Sequence, residues 1–188
     1  TPNNPTGKVF SKTELEDIAR LCIQWDCLAI TDEIYEHIVF DNHRHVSIAA
    51  LDGMADRTVT INSLSKTYSV TGWRVGWALA RTDITHRIHK VHDFLTVGAP
   101  TPFQKAGVCA LNLDKTYYKT LRSRYTQARD QICQALLDAG FNLELPKGAY
   151  YIMADADCLM DRVRADNAYD FSLKLIQCAT NMKLIAVV

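Results

Sequence analysis

The chain lacks an excess of charge of either sign: 21 Lys and Arg balance 21 Asp and Glu, and the net charge is zero. That removes the electrostatic footprint expected of a nucleic-acid binder or of a protein docked on an anionic membrane. The locally basic stretch 81–129 is scattered at helical spacing and reads as a solvated face. No apolar run approaches the ~20 residues of a membrane-spanning helix. The six cysteines (22, 27, 109, 133, 158 and 178) contain no C-x-x-C pair. Reduced thiols packed among apolar helical neighbours are therefore expected, and a zinc site on Cys22 and Cys27 is the weaker reading. No metal site is expected elsewhere. His86, His89 and His92 form a stripe without a carboxylate partner, and His43 and His45 sit in a polar loop. Repeats and low-complexity tracts are absent. Ser65-Lys66-Thr67 looks like the end of a phosphate-binding P-loop, but the required glycines would fall at Thr60 and Ser65. Gly72-x-x-x-Gly76 is too short for a dinucleotide fingerprint. An initiator Met is missing too.

What is present alternates between helix and strand. Ser11-Lys-Thr-Glu14 is a capping box, and Leu15, Ile18, Ala19, Cys22 and Trp25 follow at helical spacing, predicting a helix over 12–25. Leu28–Thr31 and Thr58–Asn62 are short continuous apolar strands of the kind covered on both faces of a parallel sheet, and Arg74–Ala80 makes a third. Helices are predicted at about 83–95, at Phe103–Leu111 behind Pro102, and along a stripe from Tyr117 to Ala139 stopped by Gly140. Phe141–Leu145 and Ala149–Ala154 are expected to pair around Pro146-Lys147-Gly148. A helix at about 168–179 capped by Asn167 should lead into a last strand at 184–188. This is an α/β layered sheet with helices on both sides. Ligands collect beyond the carboxyl ends of such strands, where Asp32, Tyr35, Ser63 and Lys66 fall.

The stretch from Ser63 to Gly76 carries the chemistry. It sets Lys66 just after a strand and Arg74 eight residues later. A lysine held at a buried strand end can lose its proton by desolvation and attack a carbonyl. An arginine fork grips phosphate through two parallel hydrogen bonds. An amine for an aldehyde and a clamp for a phosphate together point to pyridoxal 5′-phosphate. The bland reading is a strand, a loop and a surface lysine. Two further islands speak against it: Asn4-Pro5-Thr6-Gly7, otherwise a common turn, and Asp32-Glu33-Ile34-Tyr35, otherwise an exposed strand end.

Together these segments resemble the class I/II (fold-type I) PLP-dependent aminotransferases: Ser63–Gly76 fills every constrained position of the family's lysine-attachment signature. The resemblance implies a three-layer PLP-transferase large domain, with a mostly parallel sheet and helices on both faces, plus part of a smaller α+β C-terminal domain. Residues 1–130 would belong to the first and 131–188 to the second, with the boundary near 125–140 and the long helix bridging them. Lys66 would be catalytic and hold the cofactor as a Schiff base. Asn4, Asp32, Tyr35, Ser63, Ser65 and Arg74 would complete the cofactor contacts: Asp32 at the ring nitrogen, Asn4 and Tyr35 at the phenolic oxygen, the serines and Arg74 at the phosphate. The Asn4–Pro5 bond is a candidate cis joint, whereas Tyr68 and Trp73 are explained by packing as well as by function. Family chains are about twice this long, so an internal fragment is expected, lacking the first sheet strands and the arginine for the substrate carboxylate. A homodimer, amino-acid and 2-oxo-acid substrates and a cytoplasmic setting are implied, with neither nucleic acid nor membrane as partner. Two alternatives keep the cofactor: a C–S lyase or aminocyclopropane-carboxylate-type synthase, and the sensor domain of a transcription regulator.

Overall fold

The structure, a computed structural model, describes residues 1–181, so the strand expected at 184–188 lies outside the described residues. The chain forms two compact units. One comprises Thr1–Gln127 with Pro146–Tyr151, the other Ala128–Leu145 with the chain from Ile152 onward.

In the first unit the helix α1 (Lys12–Gln24) begins at the expected capping box. The Ser11 Oγ accepts from the Glu14 amide at 3.2 Å, and a Glu14 carboxylate oxygen accepts from the Ser11 amide at 2.8 Å. Two of the four orphan amides of a helix start are thereby engaged or matched. The apolar stripe of α1 packs Leu15 and Ala19 against Ala29, Ile48 and Met54. Ala29 opens the strand β1 (Ala29–Asp32), which pairs in parallel with β2 (Thr58–Ser63). The third strand, β3 (Gly76–Leu79), pairs with β2 in antiparallel sense. The described sheet is thus mixed, with order β1-β2-β3. The reversal follows from the short connection after Ser63, which turns the chain back beside its own strand instead of crossing over through a helix. Coverage on both faces, expected from the apolar runs, is not met by the described residues: Ile30 is 71% exposed and Leu79 61%.

Helices α2 (Thr82–Leu95), α3 (Thr101–Leu111) and α4 (Lys115–Ala139) follow close to their predicted limits. Histidines 86, 89 and 92 are exposed on α2, although His89 does meet a carboxylate, Asp93, at 3.5 Å. In the second unit β4 (Asn142–Leu143) pairs antiparallel with β5 (Ala154–Asp155). A short helix α5 (Met160–Val163) precedes α6 (Ala168–Asn181), where the Asn167 side chain accepts from the Asp170 amide as its cap. Phe141 and Phe171 meet edge to face at 5.9 Å. The six cysteines are free, but only Cys133 is buried; Cys27, Cys109, Cys158 and Cys178 are exposed. The expectation of buried thiols is corrected there, because the faces that carry them are not covered by described residues.

The expected hairpin around Pro146 is also corrected. Residues 146–151 leave the β4–β5 pair and lie as a strap on the first unit. The Gly7 carbonyl accepts from the Lys147 amide at 3.1 Å and the Gly148 amide at 2.9 Å, and the Ala149 amide donates to Ile38. Gly7 makes this approach possible. Its φ is +67°, and a Cβ there would lie 2.4 Å from the Pro146 Cβ. Gly7→Ala should therefore cost about 3 kcal/mol, combining left-handed strain with overlap. Urea unfolding of the complete protein checks this, and an unchanged midpoint would contradict the strap's close seating.

Candidate active site

Four of the sequence-predicted residues converge on one cleft. Asn4, Asp32, Tyr35 and Lys66 all line a cavity of about 790 Å³ in the first unit, with Tyr151 beside them. The chain brings them there from three places. Asn4 sits in a turn whose Asn4–Pro5 peptide is cis, closed by the Gly7 amide donating to the Asn3 carbonyl. Asp32, an exposed residue, ends β1, and one of its carboxylate oxygens accepts from the Ile34 amide at 3.1 Å in a short Asx turn. Lys66 stands in the turn after β2, held by the Val70 amide and the Thr71 hydroxyl bonding to the Ser65 carbonyl.

Ser63, Ser65 and Arg74 do not line the cleft. The Ser63 Oγ accepts from the Ser65 amide at 3.1 Å, which leaves its own proton free to donate. Ser65 is buried. Arg74 is exposed in the left-handed region at φ +54°, and one terminal nitrogen donates to the Thr71 carbonyl at 2.9 Å. Its other nitrogens make no hydrogen bond among the described residues. Gly76 ends this stretch because β3 starts tight against β2: a Cβ would lie 2.9 Å from the Asn62 carbonyl oxygen. Trp73 stacks on Phe103 at 4.8 Å, and the Tyr68 hydroxyl lies 2.7 Å from that of Tyr118. Packing accounts for both.

The electrostatics of Lys66 reverse one expectation. Desolvation at a buried strand end predicts a lowered pKa, yet the amine is only partly buried, and the neighbouring Tyr150 phenol raises it against the pull of burial. Its Nζ lies 5.5 Å from the centre of the Tyr150 ring. Burial pushes the Tyr150 phenol up, but the Lys66 ammonium and the Tyr35 hydroxyl outweigh that and bring it down. Tyr35 itself is raised, first by burial and then by its hydrogen bond with Tyr151 and the nearby Tyr150 phenol. It is 4% exposed, and its hydroxyl oxygen sits 2.8 Å from that of Tyr151.

Sequence reasoning missed three members of this region. Tyr150 and Tyr151 were assigned to a strand of the second domain, and the strap places them over Lys66 and Tyr35 instead. His45, taken for part of a polar loop, is nearly buried with its Nε2 at 2.7 Å from a Glu33 carboxylate oxygen. The Ser47 and Thr31 hydroxyls also donate to Glu33, at 2.8 and 2.9 Å. Donor atoms of Glu33, Glu36 and His45 fall within 4.8 Å of one another, but Glu36 takes the Asn62 amide at 2.6 Å, and the group reads as a hydrogen-bond network. Nothing in the sequence flagged it beyond Glu33 following Asp32.

With this geometry in place, the comparisons with known proteins are clear. The profile of the aminotransferase class I and II family matches residues 1–182, and the chain belongs to that family. It is 37% identical over 198 aligned positions to rat kynurenine–oxoglutarate transaminase 3, covering all of this chain and 43% of that protein. It is 40% identical over 162 positions to human kynurenine–oxoglutarate transaminase 1, covering 82% of this chain and 38% of the relative. Among solved structures, N-succinyldiaminopimelate aminotransferase from Mycobacterium tuberculosis superposes with a TM-score of 0.88 at 35% identity, over 94% of this chain and 45% of that one. The fold is therefore that of the fold-type I aminotransferases, and the chain spans less than half the length of these relatives. No described helix is long and apolar enough to cross a membrane.

The buried Glu33 cluster has a pH signature. Burial alone would push its carboxyl up, but the bonds from His45, Ser47 and Thr31 hold it below the ordinary glutamate range. A depressed carboxyl contributes stability above its unfolded pKa of about 4.3 and loses it as pH falls through the folded value. Glu33→Gln should cost about 1–3 kcal/mol at pH 7, and the gap to the parent should narrow below about pH 4. Urea titrations at both pH values check this, and a constant gap would count against it.

Proposed function

We propose that the complete protein is an aminotransferase that moves an amino group between an amino acid and a 2-oxo acid with pyridoxal 5′-phosphate bound at Lys66. The observation that carries this reading is the convergence of Lys66, Asp32, Tyr35 and Asn4 on one cleft in a chain of this family. The donors that line the cleft suit the cofactor's aldehyde, ring nitrogen and phenolic oxygen. Lys66 offers an amine for the aldehyde. Asp32 offers the carboxylate of an exposed residue, and such a group beside a ring nitrogen favours its protonated form by roughly 5 kcal/mol at an effective dielectric of ~20, before desolvation. Tyr35 and Asn4 offer hydrogen bonds to a phenolic oxygen, and the Asn4 amide is exposed without a partner among the described residues. Arg74 and the Ser63 and Ser65 hydroxyls are assigned to the phosphate.

When bound, the cofactor supplies an electron sink for the charge left at the amino-acid Cα. The chain's own residues bind, orient and carry protons. The Tyr150 ring 5.5 Å from the Lys66 Nζ favours the protonated amine, and a freed Lys66 amine is the group to move a proton on the substrate. A large domain covering 1–130, a small domain beginning at 131 and a homodimer belong to the same proposal, as the resemblance implies.

In the complete protein, glutamate or methionine should convert the bound cofactor from its aldehyde to its amine form, as followed by absorbance. Lys66→Ala should abolish the conversion. Release of pyruvate without that conversion would assign the protein to the lyases instead. Arg74→Lys, which loses the two-pronged grip, should weaken cofactor affinity about tenfold, read by equilibrium dialysis.

A further inference from the structure

We propose that Tyr151 is a positioning residue that acts through Tyr35, its hydroxyl donating to the Tyr35 oxygen and strengthening Tyr35 as a donor to the cofactor's phenolic oxygen. This rests on the function proposed above. The two hydroxyl oxygens are 2.8 Å apart although the residues lie 116 positions apart in the chain. Their rings meet edge to face at 5.9 Å, and Tyr35 packs edge to face on Tyr150 as well, at 5.2 Å. Both tyrosines line the cleft that holds Lys66.

The direction of the bond follows from proton inventory. A phenol has one proton to give and lone pairs to accept with. If Tyr35 spends its proton on the cofactor oxygen, only Tyr151 is left to donate between the pair. A hydroxyl that accepts a hydrogen bond becomes a better donor, so the two bonds reinforce each other. The strap makes the arrangement rigid. The Gly7 carbonyl takes the Lys147 and Gly148 amides, the Lys147 carbonyl takes the Phe40 amide, and the Ala149 amide donates to Ile38, three residues beyond Tyr35. Tyr151 is therefore delivered to Tyr35 by backbone bonds at the residues just before it, 147–149.

The consequence is a tuned proton. Donation from Tyr35 stabilises negative charge on the phenolic oxygen and so favours loss of the proton shared between that oxygen and the lysine nitrogen. A weaker Tyr35 donor holds that proton to higher pH. The other titratable groups around Tyr35 among the described residues include the Thr1 ammonium, Asp32 at the end of β1, Glu33 and its partner His45, Lys66 after β2, Tyr117 and Tyr125 on α4, and Tyr150 on the strap. All of them persist in the variants below.

The test is the pH midpoint of the bound cofactor's visible absorption in the complete protein. Tyr151→Phe should raise the midpoint by about 0.5 pH unit. Tyr35→Phe should raise it further, and adding Tyr151→Phe to Tyr35→Phe should change nothing more. Loss of packing alone would not produce that dependence on the Tyr35 hydroxyl. A midpoint unmoved by Tyr151→Phe, or moved equally in both backgrounds, overturns this proposal while leaving the aminotransferase reading intact. Absence of any visible band dependent on Lys66 overturns both.

Discussion

One carbonyl oxygen, that of Gly7, organises the first unit around its cleft. It receives the two amides that dock the strap, while the amide of the same residue closes the turn that carries Asn4 by donating to the Asn3 carbonyl. With the bonds at Ile38 and Phe40, it is what lays residues 150 and 151 over Lys66 and Tyr35. The bond is affordable only because Gly7 has no side chain where Pro146 presses in. A glycine that looks like ordinary turn punctuation is therefore also the socket for a segment about 140 residues away.

The strap changes the electrostatic character of the site. Lys66 does not sit in a dry apolar hole that would neutralise it. It sits among phenols that favour its charged form. Tyr35 meets Tyr150 and Tyr151 edge to face and its hydroxyl pairs with that of Tyr151, with Tyr125 stacked on Tyr150 at 5.8 Å. Phenols suit this position because each combines a large apolar body with one adaptable polar tip. They bury area as core residues do, while keeping donors and acceptors aimed at the cleft.

The fold class, the helix limits and four cleft residues were legible because each has a local cause. Helical periodicity, a capping box and apolar runs need only neighbours along the chain. Asp32 and Lys66 were placed by a general rule about the carboxyl ends of strands. What stayed hidden depends on contacts distant in sequence. The antiparallel pairing of β3 is set by the turn after Ser63, not by its own residues. The role of Tyr150 and Tyr151 requires the strap, whose docking is written in Gly7, Ile38 and Phe40. His45 looked like loop because its surroundings are polar, yet its ring is drawn inward by a carboxylate that composition cannot locate. The sheet's exposed Ile30 and Leu79 show the same limit from the other side, since apolar strands announce a need for cover without naming its source.

The uneven burial of the thiols has a practical corollary. Cys133, on α4, is 1% exposed, whereas four other cysteines are exposed. An alkylating reagent would therefore consume those four quickly and reach position 133 only when its surroundings open. The lag of that last modification is a built-in clock for local breathing, readable by mass spectrometry without adding any label.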